Sequence, residues 1–342
     1  MEVQIPINPI EQELDQALGK FYKCFLSSSN FEKFLKESLP IYKEAISNYF
    51  VNHPLVYPTM KDIINNFTPM WNILRNDRKQ LGLAQDLWKH VLTLIEELEE
   101  KFNQRIHKGS VYYYWGGTAI LNGEIEKGYR LMHASFSEDI RTNGADRPPT
   151  PATRFVYFDY ESTKQYFHDL LIKQATLLQT FLDEYTKVSG SKLDLTTFRN
   201  DFLAKHPKSE STFLFAYTIA RLENLKKFEG PDNPFVGILQ LNLLFDLVLV
   251  IDASIQAKTN VGWHYFDLAK ELSDKAGLSL NQQNLGQIAQ DNRNNSERTI
   301  LEILLGKYKL ADGSILSHKD KDLAISYCLR NHAAHNIASQ NL

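Results

Sequence analysis

The residues best suited to acid–base and phosphate chemistry lie near the C-terminus, in Leu329-Arg330-Asn331-His332-Ala333-Ala334-His335-Asn336. Arginine stays charged and presents forked donors that match phosphate oxygens, and histidine can give or take a proton near neutral pH. Asn331 lies one helical turn before His335 and could hold that imidazole or a bound phosphate. Arg330, Asn331 and His335 are therefore the candidate catalytic residues, and the reaction they suit is phosphodiester cleavage.

Cleavage of RNA needs this set of groups because the substrate supplies its own nucleophile. A base activates the ribose 2′-hydroxyl, a cation stabilises the charged phosphorane-like state, and an acid protonates the leaving 5′-oxygen. No metal and no cofactor are expected for such a reaction. One copy of the motif supplies one histidine, His335, whereas two copies across a twofold axis would surround one cleft with two arginines and two histidines. This predicts a homodimer with a composite active site.

The element that must position these residues is the last helix, which the apolar periodicity predicts from Lys319 to about Ser339, with Ser317 as its cap. Small and polar residues share one stripe of this helix, namely Ala324, Cys328, Asn331, His335 and Ala338. The Cα atoms of Arg330 and His335 lie about 140° apart around the axis, since each residue turns ~100°. The two side chains therefore meet through the arginine's reach, or across an interface.

The pattern Arg330-Asn331-x-x-x-His335, late in an apolar helical segment, resembles the signature of the HEPN superfamily. In that family an arginine, often followed directly by a polar residue, precedes a histidine by four to six intervening residues. The resemblance covers roughly residues 235–342. It implies a bundle of four or five helices, a dimer that builds the active cleft, and metal-independent endoribonuclease activity of the kind found in toxin–antitoxin, abortive-infection and CRISPR-linked defence. By resemblance, Arg330 would bind the phosphate, His335 would transfer protons and Asn331 would support them.

Other interpretations of these residues stay open. His335 could be a hydrogen-bonded histidine at a packed helix interface, and His332 could either flank the site or be a second catalytic group. His332 and His335 are adjacent on a helix and could share a metal ion, although no nearby carboxylate or cysteine completes a ligand set. Asp246 and Asp252 could pair with Arg330, with another cation, or make ordinary hydrogen bonds in a bundle.

Composition limits the class of protein. The chain has 342 residues, 43% of them hydrophobic and 23% charged, which is typical of a soluble globular protein of one or two domains. A formal charge of −3 restricts any contact with nucleic acid to a local patch. The N-terminus lacks the pattern of a signal peptide, and the apolar segment 235–257 carries polar residues that would be costly in lipid. Cys24 and Cys328 lack metal-type spacing, so a reducing, cytoplasmic location without membrane contact is expected.

Many amphipathic segments and little strand signal predict an all-α, multi-helix protein. A loop at 141–151 breaks the first half, and a strong breaker at 229–234 divides an N-terminal regulatory or docking region, 1–230, from a HEPN-like RNase domain, 231–342. Residues 154–160 form either a short strand or the start of a helix. The asparagine-rich stretch 281–298 suits a loop or short helices.

Residues 110–140 resemble a single tetratricopeptide-like helical hairpin. In it, Gly116, Gly123 and Gly128 would let two antiparallel helices approach closely. The aromatic residues 112–115 could stack on bases or pack at a helix crossing. This hairpin supports an alternative to the endoribonuclease hypothesis: a non-catalytic helical interaction protein, such as an adaptor or an antitoxin-like partner. In the endoribonuclease hypothesis the N-terminal region would instead respond to a regulatory protein or a small-molecule activator.

Overall fold

The computed structural model describes residues 9–28, 30–52, 64–144, 149–162, 166–190, 192–204, 209–225, 234–259 and 265–339. These residues are helical with connecting turns, and their only β-pairing is an isolated antiparallel bridge between Lys309 and Ile315. The all-α prediction is confirmed. By its internal contacts the chain divides into two compact units, unit 1 (Met1–Thr153) and unit 2 (Arg154–Leu342).

Unit 1 is built from long helices around an aromatic core. Its described residues form the helices α1 (Pro9–Ser27), α2 (Phe31–Asn52), α3 (Thr68–Asn72), α4 (Leu81–Phe102), α5 (Gly109–Leu121) and α6 (Ile125–Asn143). A π-helical turn, Ile73–Asp77, follows α3. Tyr114 stacks on the buried Trp88 with ring centroids 4.9 Å apart. This contact favours packing over base stacking for the predicted aromatic cluster.

The predicted hairpin is confirmed as α5 and α6, joined by a short turn. A Cβ atom on Gly116 would lie 2.9 Å from the carbonyl oxygen of Gly128, and one on Gly128 would lie 2.7 Å from that of Gly116. The two helix backbones therefore touch at these residues. Gly123 has another role: its φ of +86° lies in the left-handed region, and a Cβ there would meet nothing within 4 Å. It shapes the turn rather than the crossing.

Unit 2 contains α8 (His168–Ser189), α9 (Leu195–Phe198), α10 (Ser209–Leu225), α11 (Pro234–Thr259), α12 (Tyr265–Ala276), α13 (Gln282–Asn294), α14 (Ser296–Leu304) and α15 (His318–Ser339). A π-helical turn, Arg199–Leu203, extends α9. The helix α7 (Pro151–Val156) spans the unit boundary and includes part of 154–160. The short strand proposed there is wrong: the chain leaves α7 through a turn in which Phe158 has a φ of +55°.

The last helix is the centre of the C-terminal packing, because α15 contacts α11, α12, α13 and α14. Its small residues Ala324 and Cys328 are fully buried in a core shared with Leu285 and Ile303.

The boundary predicted near residue 230 lies inside unit 2, where α10 and α11 pack together and Arg221 pairs with Asp246 at 2.6 Å. An independent domain at 231–342 therefore stays a prediction. Among the described residues, no helix combines the length and the apolar content that a membrane span requires.

Replacing Gly128 by alanine should destabilise unit 1, because the added methyl group would overlap the backbone of α5. Overpacking of this kind costs about 1–3 kcal/mol. The matched control is Gly19→Ala in α1, where a Cβ meets nothing within 4 Å and should add roughly 0.5–1 kcal/mol of stability. Urea unfolding followed by circular dichroism measures both changes. A Gly128→Ala variant as stable as Gly19→Ala would contradict the close crossing.

Candidate functional site

The start of α15 is fixed by a side-chain cap, as predicted. The Ser317 Oγ atom accepts a hydrogen bond from the Asp320 backbone N–H at 3.2 Å and donates to Asp320 Oδ2 at 2.5 Å. The other carboxylate oxygen of the buried Asp320 accepts from the Ser279 N–H at 2.8 Å. This carboxylate therefore joins the first turn of α15 to the segment before α13. It fixes the position of α15 along its own axis relative to α13.

Asparagine side chains organise the two helices that face the middle of α15. The Asn281 Oδ1 atom accepts from the Asn284 N–H at 2.9 Å and caps α13, and Asn295 Oδ1 accepts from the Arg298 N–H at 3.1 Å and caps α14. The short-helix interpretation of 281–298 is therefore correct. Asparagine is a favoured N-cap because its side-chain oxygen satisfies an otherwise unpaired backbone N–H. The corner at Asn295 brings the end of α13 and the start of α14 against α15.

Two of the predicted site residues lie together on α15. The Arg330 Nη1 atom donates to Asn331 Oδ1 at 3.3 Å, and both residues are half-buried. Burial raises the pKa of the neighbouring Tyr327, while a hydrogen bond with Asn331 and the positive charges of Arg293 and Arg330 lower it. The charges of Arg293 and Arg330 thus act on the Tyr327 hydroxyl, which Asn331 also hydrogen-bonds, and these four residues form the candidate anion-binding patch.

His332 is held by residues from the corner between α13 and α14. The His332 Nδ1 atom is 2.8 Å from Ser296 Oγ, and that hydroxyl donates to Asn292 Oδ1 at 3.0 Å. The Asn292 Nδ2 group donates in turn to the backbone carbonyl of Cys328 at 3.4 Å. This imidazole, which comes directly after Asn331 in the chain, therefore has a defined orientation.

The third predicted residue, His335, has its backbone in α15, but its side chain lies outside the described residues. Convergence of Arg330 and His335 therefore stays a prediction, and so does a metal ion shared by His332 and His335. In the part of the chain that the structure describes, no group of three or more His, Cys, Asp or Glu residues could hold a metal ion. Asp246 pairs with Arg221, so of the partners considered for this carboxylate it has a cation other than Arg330.

Sequence reasoning missed four residues of this arrangement: Arg293, Tyr327, Asn292 and Ser296. Tyr327 could have been found, since it precedes Arg330 and Asn331 by three and four positions on one helix. The others come from a different helix pair, and Ser296 and His332 are 36 positions apart in sequence. No local pattern carries information about such a contact.

Two buried groups beside the site, the Cys328 thiol and the Tyr308 hydroxyl, are unreactive. Burial, assisted by the charge of Asp291, raises the pKa of the Cys328 thiol to about 12. The Tyr308 hydroxyl donates to Asp291 Oδ2 at 2.6 Å, and burial together with this bond raises the pKa of Tyr308. Cys328 and Tyr308 therefore stay protonated at neutral pH, which excludes them as a nucleophile or a base.

Comparisons with models of protein families, with curated proteins and with solved structures found no match to this chain. Two guanidiniums, a tyrosine hydroxyl, an amide and an oriented imidazole lie around the middle of α15. Guanidinium groups suit an anionic ligand such as a phosphate, and an imidazole permits proton transfer.

The two thiols should differ sharply in reactivity. Cys24 is exposed, whereas Cys328 is buried and only about one molecule in 10⁴ would be a thiolate at pH 8. Iodoacetamide at that pH should therefore give one adduct on the native protein and two after unfolding in urea, read by intact mass. A Cys24→Ser variant should give no native adduct. Rapid native labelling of Cys328 would contradict the packing of α15.

Proposed function

We propose that this protein is a metal-independent endoribonuclease of the HEPN type, with Arg330, Asn331 and His335 as its catalytic residues. The observation that supports this is the hydrogen-bonded pair of Arg330 and Asn331, half-buried beside Tyr327, on the helix that continues to His335. The pair holds a guanidinium in place before any ligand binds. Preorganised charge of this kind is often the largest single contribution to catalysis.

The electrostatics of the site suit a phosphodiester. Arg293 is exposed, and it makes no ion pair with any carboxylate among the residues that the structure describes. It and Arg330 both act on Tyr327, so their charges lie near one point of a chain whose overall formal charge is −3. An RNA backbone would therefore be attracted to this patch rather than to the surface as a whole. Arginine is well suited to it because its forked donors can bind two phosphate oxygens at once.

In the proposed reaction the ribose 2′-oxygen attacks the adjacent phosphorus and the bond to the 5′-oxygen breaks. Arg330 stabilises the negative charge that develops on the phosphoryl oxygens, and Asn331 holds the guanidinium. His335 transfers a proton, as either the base for the 2′-hydroxyl or the acid for the 5′-oxygen. The products are a 2′,3′-cyclic phosphate and a 5′-hydroxyl end. No metal and no cofactor enter this scheme.

Incubation with RNA in EDTA tests the proposal. The wild-type protein should cleave, and Arg330→Ala and His335→Ala should each lose ~100-fold or more of the rate, the usual scale for removing a charge-stabilising or proton-transfer group. The matched control is Arg298→Ala, an exposed arginine on α14 that pairs with Glu302. Its rate should be unchanged. Cleavage that requires added metal, or that survives both substitutions, would refute the assignment.

A homodimer with a composite cleft is part of this proposal. Three leucines at the end of α14, the helix that packs beside α15, are each more than half exposed: Leu301 and Leu304 in its last turn, and Leu305 at its C-cap. Such an apolar face supports burial against a second copy.

Light scattering should therefore give the mass of a dimer for the wild type and of a monomer for Leu304→Glu, which places a charge on the exposed face. Mixing inactive Arg330→Ala and His335→Ala subunits should restore part of the cleavage, because each would supply the group that the other lacks. A wild-type monomer that cleaves RNA would contradict the composite cleft.

The wider role follows from the same proposal. A cytoplasmic endoribonuclease of this type would serve as a toxin or an antiviral defence effector. The region before residue 231 would then dock a regulatory protein or bind a small-molecule activator. If the wild type cleaves no RNA, the alternative of a non-catalytic helical adaptor, or an antitoxin-like partner, is favoured instead.

A further inference from the structure

The hydrogen bonds that link His332 through Ser296 and Asn292 to the Cys328 carbonyl allow only one order of donors and acceptors. This path ends on the backbone carbonyl of Cys328, which can only accept, so the group 3.4 Å away must be the donor Nδ2 of Asn292. The Asn292 Oδ1 atom then faces Ser296. Since Oδ1 is an acceptor, the 3.0 Å contact between it and Ser296 Oγ requires the one hydroxyl hydrogen of the serine.

This direction fixes which nitrogen of His332 carries hydrogen. With its hydrogen directed at Asn292, the Ser296 oxygen can only accept from His332. The Ser296 Oγ and His332 Nδ1 atoms are 2.8 Å apart, so Nδ1 must be the protonated nitrogen. A neutral imidazole protonated on Nδ1 has its lone pair on Nε2. Nε2 is therefore the atom at which His332 would accept a proton.

We infer that His332 is a second proton-transfer residue of the site, with Nε2 as its basic nitrogen, and that Ser296 and Asn292 are positioning residues that hold this tautomer. The inference rests on the endoribonuclease function proposed above. His332 and His335 are three residues apart on α15, so their Cα atoms are neighbours on one side of the helix. Each subunit would then supply one group to act as base and one to act as acid.

The proposed step balances within the substrate and the two histidines. Nε2 of His332 takes the proton of the ribose 2′-hydroxyl as the 2′-oxygen forms its bond to phosphorus. The bond from phosphorus to the 5′-oxygen breaks, and the 5′-oxygen takes a proton from the His335 imidazolium. Afterwards His332 is protonated and His335 neutral, and exchange with water restores both. No oxidant, reductant or other co-reactant is consumed.

The tautomer can be read directly, without any RNA. Isotope-edited NMR of the histidine side chains in the full-length protein should show His332 protonated on Nδ1, with its signals identified by their loss in His332→Asn. Ser296→Ala removes the acceptor and should shift His332 toward the Nε2-protonated form. A wild-type His332 protonated on Nε2, or a tautomer unchanged by Ser296→Ala, would overturn the inference.

Cleavage assays then test the catalytic role. His332→Asn keeps a donor where Nδ1 stood but removes Nε2, so the single-turnover rate should fall ~100-fold or more, with little change in KM or thermal midpoint. The matched control is His318→Asn, an exposed residue at the start of α15, which should cleave normally. Wild-type cleavage that His332→Asn leaves unchanged would overturn this inference alone. A wild type that cleaves no RNA would overturn the proposed function as well.

Discussion

The burial of Ala324 and Cys328 in α15 is the constraint on which the rest of the C-terminal structure depends. These two small side chains let one helix contact four others, α11, α12, α13 and α14, along its own length. Tyr327 belongs to the same buried core, whereas Arg330, Asn331 and His332 come just after it on the helix and are half-buried, at the edge of that core. A core of packed side chains tolerates little movement, and it therefore gives these polar groups fixed positions.

Polar groups at such a boundary are stable only when they are hydrogen-bonded. An unpaired buried donor or acceptor costs roughly 1–3 kcal/mol, whereas a satisfied network can hold a single arrangement. The path from His332 through Ser296 and Asn292 to the Cys328 carbonyl meets this requirement, because each member's donor is matched to an acceptor. The pair of Arg330 and Asn331 meets it in the same way. Hydrogen bonds thus fix the polar groups of the site, as close packing fixes the side chains of the core.

What the sequence could predict was local. The extent of α15, its Ser317 cap and the hairpin crossing at Gly116 and Gly128 follow from helical periodicity, capping chemistry and small residues, all within about twenty positions of chain. Packing between distant segments does not follow from such local patterns. A breaker near residue 230 predicts a turn, but it says nothing about whether α10 and α11 pack together across it. In the same way, no pattern around Arg330 could indicate that the charge of Arg293 acts on Tyr327, or that Ser296 lies 2.8 Å from His332 Nδ1.

Helical geometry bears on how Arg330 and His335 could act on one phosphate. Each residue turns ~100°, so position 331 lies ~100° and position 335 ~140° around the axis from Arg330. The hydrogen bond to Asn331 therefore directs the Arg330 guanidinium toward position 331. Viewed down the helix axis, position 331 is ~40° from the His335 Cα atom, which lies roughly 6 Å further along the axis. Position 335 also lies between 331 and 332 in this projection, one turn above both. The asparagine after the arginine thus removes most of the angular separation that the spacing of the motif would otherwise impose.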